Sequence, residues 1–153
     1  MTKRLRQLLS DHGGATAAEF ALVLPLLLLF LFAIIDVGRF AWTLNRAEKA
    51  TQMGARFAIA TDYVPSGIAG YSFVTSGGLG QGDSIPSSSF TGASCTSNGT
   101  TATCSCKSGS CPWMGSAQQA PFTRIVNRMR LFMPEISASK VKIEYDWSGL
   151  GYA

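Results

Sequence analysis

The sequence predicts an α+β protein: a long N-terminal helix that crosses a membrane, then a small disulfide-stapled domain with a second amphipathic helix and a small antiparallel sheet. Three observations carry that expectation. Residues 15–35 are apolar apart from Glu19, and as a helix they span about 31 Å, against a bilayer hydrocarbon core of roughly 30 Å. Phe122, Ile125, Val126, Met129, Phe132 and Met133 recur at helical spacing, whereas residues 140–147 alternate apolar and charged as a half-buried strand does. Four cysteines, Cys95, Cys104, Cys106 and Cys111, lie in a Gly/Ser/Thr-rich stretch well beyond the apolar run.

Residues 1–14 form a basic leader in which Lys3, Arg4, Arg6 and Asp11 supply half of the chain's formal charge of +4. The rest of the chain is too nearly neutral for a nucleic-acid surface, so no nucleic-acid partner is expected. A secretory signal peptide is the rival reading of the apolar run. No small-x-small cleavage pattern succeeds it, however, because Ala33 leads into Ile34, Ile35, Asp36, Val37 and Gly38. The run reads as a single-pass anchor. Lysine and arginine are balanced on its two sides, and the cysteines decide orientation: an even number in a loop-rich segment suits an oxidising compartment, here the periplasm.

Beyond the span, Val37, Phe40, Ala41, Leu44, Ala47, Thr51, Gly54, Ala55 and Ala58 continue at three- and four-residue steps. One helix over residues 15–60 is therefore expected. Its distal stripe either packs on the chain's own domain or admits a neighbouring subunit's helix. Pro25 removes one backbone hydrogen bond and is expected to kink the span. Asp36 and Arg39, one turn apart, are expected to pair and to mark the outer membrane boundary.

The extracytoplasmic domain covers residues 61–153. Within it, more than half of residues 65–116 are Gly, Ser, Thr or Pro, and only Asp83 and Lys107 are charged, so this stretch reads as a loop stapled by the cysteines. A second helix is expected over residues 121–133, with Pro121 in its first turn and Pro134 ending it. For the strand at residues 140–147, weak pairing candidates are residues 71–74 and 102–104. The cysteine spacing lacks the Cys-x-x-Cys pairs of zinc ribbons and redox sites, so two structural disulfides are expected and no metal. Their connectivity is open, apart from a disfavoured Cys104–Cys106 bridge with its very short ring.

The stretch with the most functional information is Gly13-Gly14-Ala15-Thr16-Ala17-Ala18-Glu19-Phe20, between the basic leader and the span. It resembles the processing site of type IVb prepilins, in which a membrane peptidase cuts after a glycine and leaves a mature chain with Glu and an aromatic at its fifth and sixth residues. Gly14, Glu19 and Phe20 match that pattern, which puts the implied cut between Gly14 and Ala15. The stretch Glu19-Phe20-Ala21-Leu22-Val23-Leu24-Pro25, the Leu/Phe tract after it and Asp36-Val37-Gly38-Arg39 resemble the TadE-like pseudopilins of the Flp, or tight-adherence, pilus system. Gly54-Ala55-Arg56-Phe57-Ala58 and the closing Gly149-Leu150-Gly151-Tyr152-Ala153 are similar to stretches common in that family.

The resemblance implies a minor pilin in the bacterial inner membrane, with a periplasmic C-terminal domain that becomes extracellular in a pilus. Its implied partners are the prepilin peptidase, other pilin subunits and the pilus assembly platform. Assembly would rest on Glu19 and Phe20, with the α-amino group freed at Ala15 as the candidate partner of the Glu19 carboxylate. The competing reading of Glu19 is a side chain reaching the headgroups and favouring the helix N-terminus. Removal of the leader takes His12, the only histidine, so no nucleophile–base constellation remains and neither enzymatic activity nor a cofactor is expected. The alternative function is a permanently anchored periplasmic binding or adhesion module whose loop contacts a ligand.

Overall fold

The computed structural model describes residues 13–153; the leader residues Lys3, Arg4, Arg6, Asp11 and His12 lie outside the described residues. The elements in order are α1 (Gly13–Ala60), a 3-10 turn (Ile68–Gly70), β1 (Ala93–Ser97), β2 (Ala102–Cys106), α2 (Gln119–Arg130), a second 3-10 turn (Ala138–Lys140) and β3 (Lys142–Tyr145). The chain divides into two compact units, Met1–Asn45 and Arg46–Ala153.

In the first unit every described side chain from Thr16 to Asn45 is exposed. The α-helical assignment runs through Pro25 without interruption. Asp36 and Arg39 do not pair: neither belongs to any of the ion pairs among the described residues. On a helix whose flank is open to solvent, an i,i+3 pair gains only a few tenths of a kcal/mol and must offset the entropy of holding two side chains.

The second unit begins with the last turns of α1. Here the small-residue stripe packs on the chain's own domain: Ala50 and Gly54 are buried, and Ala47, Phe57 and Ala58 are half-buried, while Thr51 and Ala55 stay exposed. Gly54 sets the approach of α2, since a Cβ there would lie 2.6 Å from Met129 Cγ and 3.0 Å from its Sδ. The earlier part of the stripe, Val37, Phe40, Ala41 and Leu44, is exposed among the described residues. The reading of the stripe as packing on the chain's own domain thus holds from Ala47 onward.

The helix α2 presents Phe122, Ile125, Val126 and Met129 to a core completed by Ala50, Val64, Cys95, Ala102, Val141 and Ile143. It ends three residues before the expected Met133, but Phe132 and Met133 both donate their N–H groups to the Met129 carbonyl and pack at the core's margin. Arg46 of α1 fastens this corner, donating Nε–H to the Phe132 carbonyl at 3.1 Å and pairing with Glu135 at 3.1 Å.

The sheet has the order β2-β1-β3 with both pairings antiparallel. Two of its strands lie inside the stretch that composition reads as loop. Ala93, Cys95 and Ser97 of β1 face inward, and Cys95 stands opposite Cys104 of β2 and Ile143 of β3. Of the weak pairing candidates, residues 102–104 do enter the sheet, but against β1 and not β3; residues 71–74 form no strand. Central β1 carries no large apolar residue, which is why hydrophobic periodicity passes over it.

The disulfides are Cys95–Cys104, directly across the hairpin, and Cys106–Cys111, which closes the short loop after it. Trp113 is buried just beyond and stacks on Phe90 with ring centroids 4.2 Å apart. Lys107 reaches across to β3, donating to both Asp146 oxygens at 2.8 and 2.9 Å and pairing with Glu144 at 3.1 Å. Those hydrogen bonds, Asp146 first, hold its amine above the ordinary range. Lys142 and then Lys107 hold the Glu144 carboxyl below its ordinary range, so the small stabilisation from this exposed pair is present at neutral pH and fades as pH falls. The Tyr145 hydroxyl accepts the Val64 N–H at 3.1 Å; burial pushes its phenol up, and that hydrogen bond works the other way. The closing residues are pinned as well: Gly82 and Ile85 donate N–H groups to the Ala153 and Gly151 carbonyls, and Trp147 Nε1–H donates to the Ile85 carbonyl at 2.7 Å.

Two substitutions probe this packing. Gly54→Val places branched carbon where Met129 already sits and should destabilise the domain by about 1–3 kcal/mol through overpacking. Thermal unfolding of the detergent-solubilised chain measures this, and adding Met129→Ala should recover part of the loss. Replacing Cys111 by Ser should release one thiol, located by mass spectrometry of the alkylated protein at Cys106; alkylation at Cys95 or Cys104 instead would contradict the connectivity.

Candidate functional site: the exposed apolar helix

The site lies at the N-terminal end of the described residues. Gly13 and Gly14 are helical, whereas the sequence predicts the helix from residue 15 onward. Glycine adds the largest backbone entropy of any residue, so the stretch that holds the Gly14–Ala15 peptide is a weak point of the helix.

Glu19 and Phe20 come within the next two turns. Glu19 makes no ion pair among the described residues, and Phe20 is 67% exposed. From there to Ile35 the surface is Leu, Val, Phe, Ile and Ala on all sides, with Pro25 within it. A helix that is apolar all round is buried either in a protein core or in lipid. No described residue covers it. By length and composition Thr16–Ala60 contains a segment able to cross a membrane, and none of its most apolar window is buried inside the protein. This fits a single-pass membrane protein anchored near its N-terminus.

The four cysteines sit apart from these groups, in the second unit. All are consumed in disulfides, so the cysteine-rich stretch is a structural staple: the buried Cys95 belongs to the core, and the Cys106–Cys111 ring sits at its edge. An open cleft of about 770 Å³ lies at the start of α2, where Asp62 and Arg124 form an ion pair beside Tyr63, Ser66 and Gln118. Asp62 and Arg124 are 62 positions apart, so sequence spacing does not bring them together. The polar groups of the cleft bond one another: Ser66 Oγ lies 3.1 Å from Ser116 Oγ, and Gln118 Nε2 donates to the same Ser116 hydroxyl. The cleft therefore offers no set of convergent unsatisfied groups.

No curated protein matches the chain, and no solved structure does. Residues 14–56 match the model of a protein family described as TadE-like protein, a match that begins at the glycine of the expected processing site and ends within the last turns of α1. The segment that includes Gly14, Glu19, Phe20 and Pro25 is thus similar to TadE-like proteins.

Proposed function

We propose that the chain is a minor pilin, or pseudopilin, of a Flp (tight-adherence) type IVb pilus. It is cut after Gly14 by a prepilin peptidase, held in the inner membrane by residues 15–35, and joined to other pilin subunits through α1. The observation that carries this reading is the TadE-like match over residues 14–56, coincident with an apolar helix that the rest of the chain leaves bare. A domain beyond the helix suits a minor role, since major Flp pilins resemble little more than the helix.

The physical argument turns on Glu19. A carboxylate at the edge of hydrocarbon costs on the order of a few kcal/mol unless it is hydrated or paired. Cleavage after Gly14 creates an α-amino group at Ala15, about one turn away along the helix. In the bilayer both groups stay among hydrated headgroups. In a filament the headgroups are gone, and the amine of one subunit meets the carboxylate of the same or a staggered neighbour among apolar helices. Breaking a buried charge pair by removing one partner typically costs about 3–5 kcal/mol. Helix joining is therefore the step at which Glu19 matters. The work of the chain is assembly, with the pilus platform as the machine that draws the helix from the membrane.

N-terminal peptide mapping of the cellular protein should find a mature chain starting at Ala15; recovery of the intact Met1 leader on all copies would refute processing. Glu19→Ala should leave leader removal and membrane abundance unchanged while co-purification with partner pilins falls by more than about a hundredfold, the equivalent of that lost pair. Normal co-purification and piliation of the variant would return Glu19 to an interfacial role.

A further inference from the structure

Between the span and the folded domain lie residues 36–45, and this segment is unlike a solvated connector. Val37, Phe40, Trp42 and Leu44 are 68, 65, 67 and 53% exposed, and no described residue covers them. They do not form a single stripe. At 100° per residue Val37, Phe40 and Leu44 share one side of α1, whereas Trp42 stands about 200° from Phe40 on the opposite side. A partner helix covers one stripe; a surround covers both sides.

The polar groups at the same level agree. Asp36 and Arg39 carry opposite charges one turn apart and are not ion-paired with each other or with any described residue. A dry protein interface would leave both as uncompensated buried ions, which is strongly unfavourable. A layer of phosphates, ammonium groups and water satisfies each of them separately. The Thr43 hydroxyl donates to the Arg39 carbonyl at 3.0 Å, so it needs no partner from outside the helix.

Geometry brings the aromatic rings to that layer. Helical side chains lean toward the helix N-terminus and lie over the turn before their own Cα. In α1 that direction is toward the apolar span. Trp42 is six residues past Asp36, about 9 Å along the axis, and its ring reaches back toward the level of Arg39. The headgroup regions add about 10–15 Å to the roughly 30 Å hydrocarbon core, shared between two leaflets. Indole, with an apolar body and one N–H, is the side chain most suited to that boundary.

We propose that residues 36–40 lie in the phospholipid headgroup layer, with the Phe40 ring and the back-reaching Trp42 ring within that layer and Arg39 at headgroup phosphates. The partner is thus a lipid surface, and the membrane footprint of the chain extends about one turn beyond Asp36. The inference rests on the reading of residues 16–35 as a membrane span. It adds a ring of anchoring contacts that fixes how far the helix sits out of the bilayer, and that must be released when the helix is drawn from it.

The test is bromine quenching of tryptophan fluorescence for the full-length chain in phosphatidylcholine vesicles. The lipid carries bromine either near the carbonyl end or near the methyl end of its acyl chains. Wild type should be quenched more by the shallow bromines than by the deep ones, and Trp42→Phe should lose that shallow quenching. Trp113 and Trp147 contribute equally to both proteins, and Trp42 touches nothing in the fold. Equal quenching of wild type and Trp42→Phe would overturn the proposal, placing the indole in water or against another protein chain. Phe30→Trp, made in the Trp42→Phe background, separates the two readings. Deep quenching at Phe30→Trp with none at Trp42 defeats only the headgroup assignment; no quenching at either defeats the membrane span, and the proposal with it.

Discussion

Twenty or so apolar residues on one helix, with no described residue to cover them, are the constraint on which the rest of the molecule depends. In water such a surface is costly by roughly 25 cal/mol for each Å² of apolar area. Inside hydrocarbon the cost disappears, and the helix meets its internal backbone hydrogen bonds without water, apart from the one that Pro25 removes. The same surface is what a subunit needs if it is to leave one apolar environment for another. Lipid and neighbouring helices are interchangeable solvents for Leu, Val and Phe, and they differ mainly in how they treat ions. On the proposed function, Glu19 is the residue through which the two environments would be told apart.

The second unit solves a different problem. With a core of ten buried residues, two of them alanine and one a half-cystine, it has little apolar area to set against chain entropy. Its stability comes from restricting the unfolded chain and from close approach. The Cys95–Cys104 bridge joins opposed positions of the hairpin, so the central strand holds together despite being built from Ala, Ser, Cys and Thr. At Gly54 the absence of a side chain brings α2 onto α1, and Met129, the most adaptable of apolar side chains, fills the contact. Arg46 and Tyr145 add side-chain bonds to the Phe132 carbonyl and the Val64 N–H where no regular ladder reaches.

How much of this was legible in the sequence depends on the length scale of each signal. The span, the distal helix and α2 were readable because each repeats an apolar residue at helical steps over several turns, as Phe122, Ile125, Val126 and Met129 do. The strand at Ile143 was readable because lysine and glutamate flank it in alternation. The hairpin was not: Ala93, Cys95 and Ser97 point inward without hydrophobic contrast to Ser94 and Thr96, and only the cysteines marked it. The disulfide partners could not be read because they depend on strand register. The stripe on α1 was visible as a pattern, but its division at Ala47 into covered and bare portions is decided by where α2 ends and Arg46 finds Phe132. Asp36 and Arg39 were expected to pair on spacing alone, and spacing does not report the solvation that makes pairing unnecessary.

That the bare helix belongs first to the inner membrane and then to a filament is tested most directly by mass spectrometry of separated membrane and sheared-filament fractions. The chain should stay in the membrane fraction after alkaline carbonate washing and should also be found, at lower abundance, among the filament subunits. Confinement to the membrane fraction, with none in filaments from piliated cells, would contradict the filament role and leave only an anchor. Release of the chain into the soluble fraction by carbonate would contradict the membrane span itself, and with it both roles of the helix.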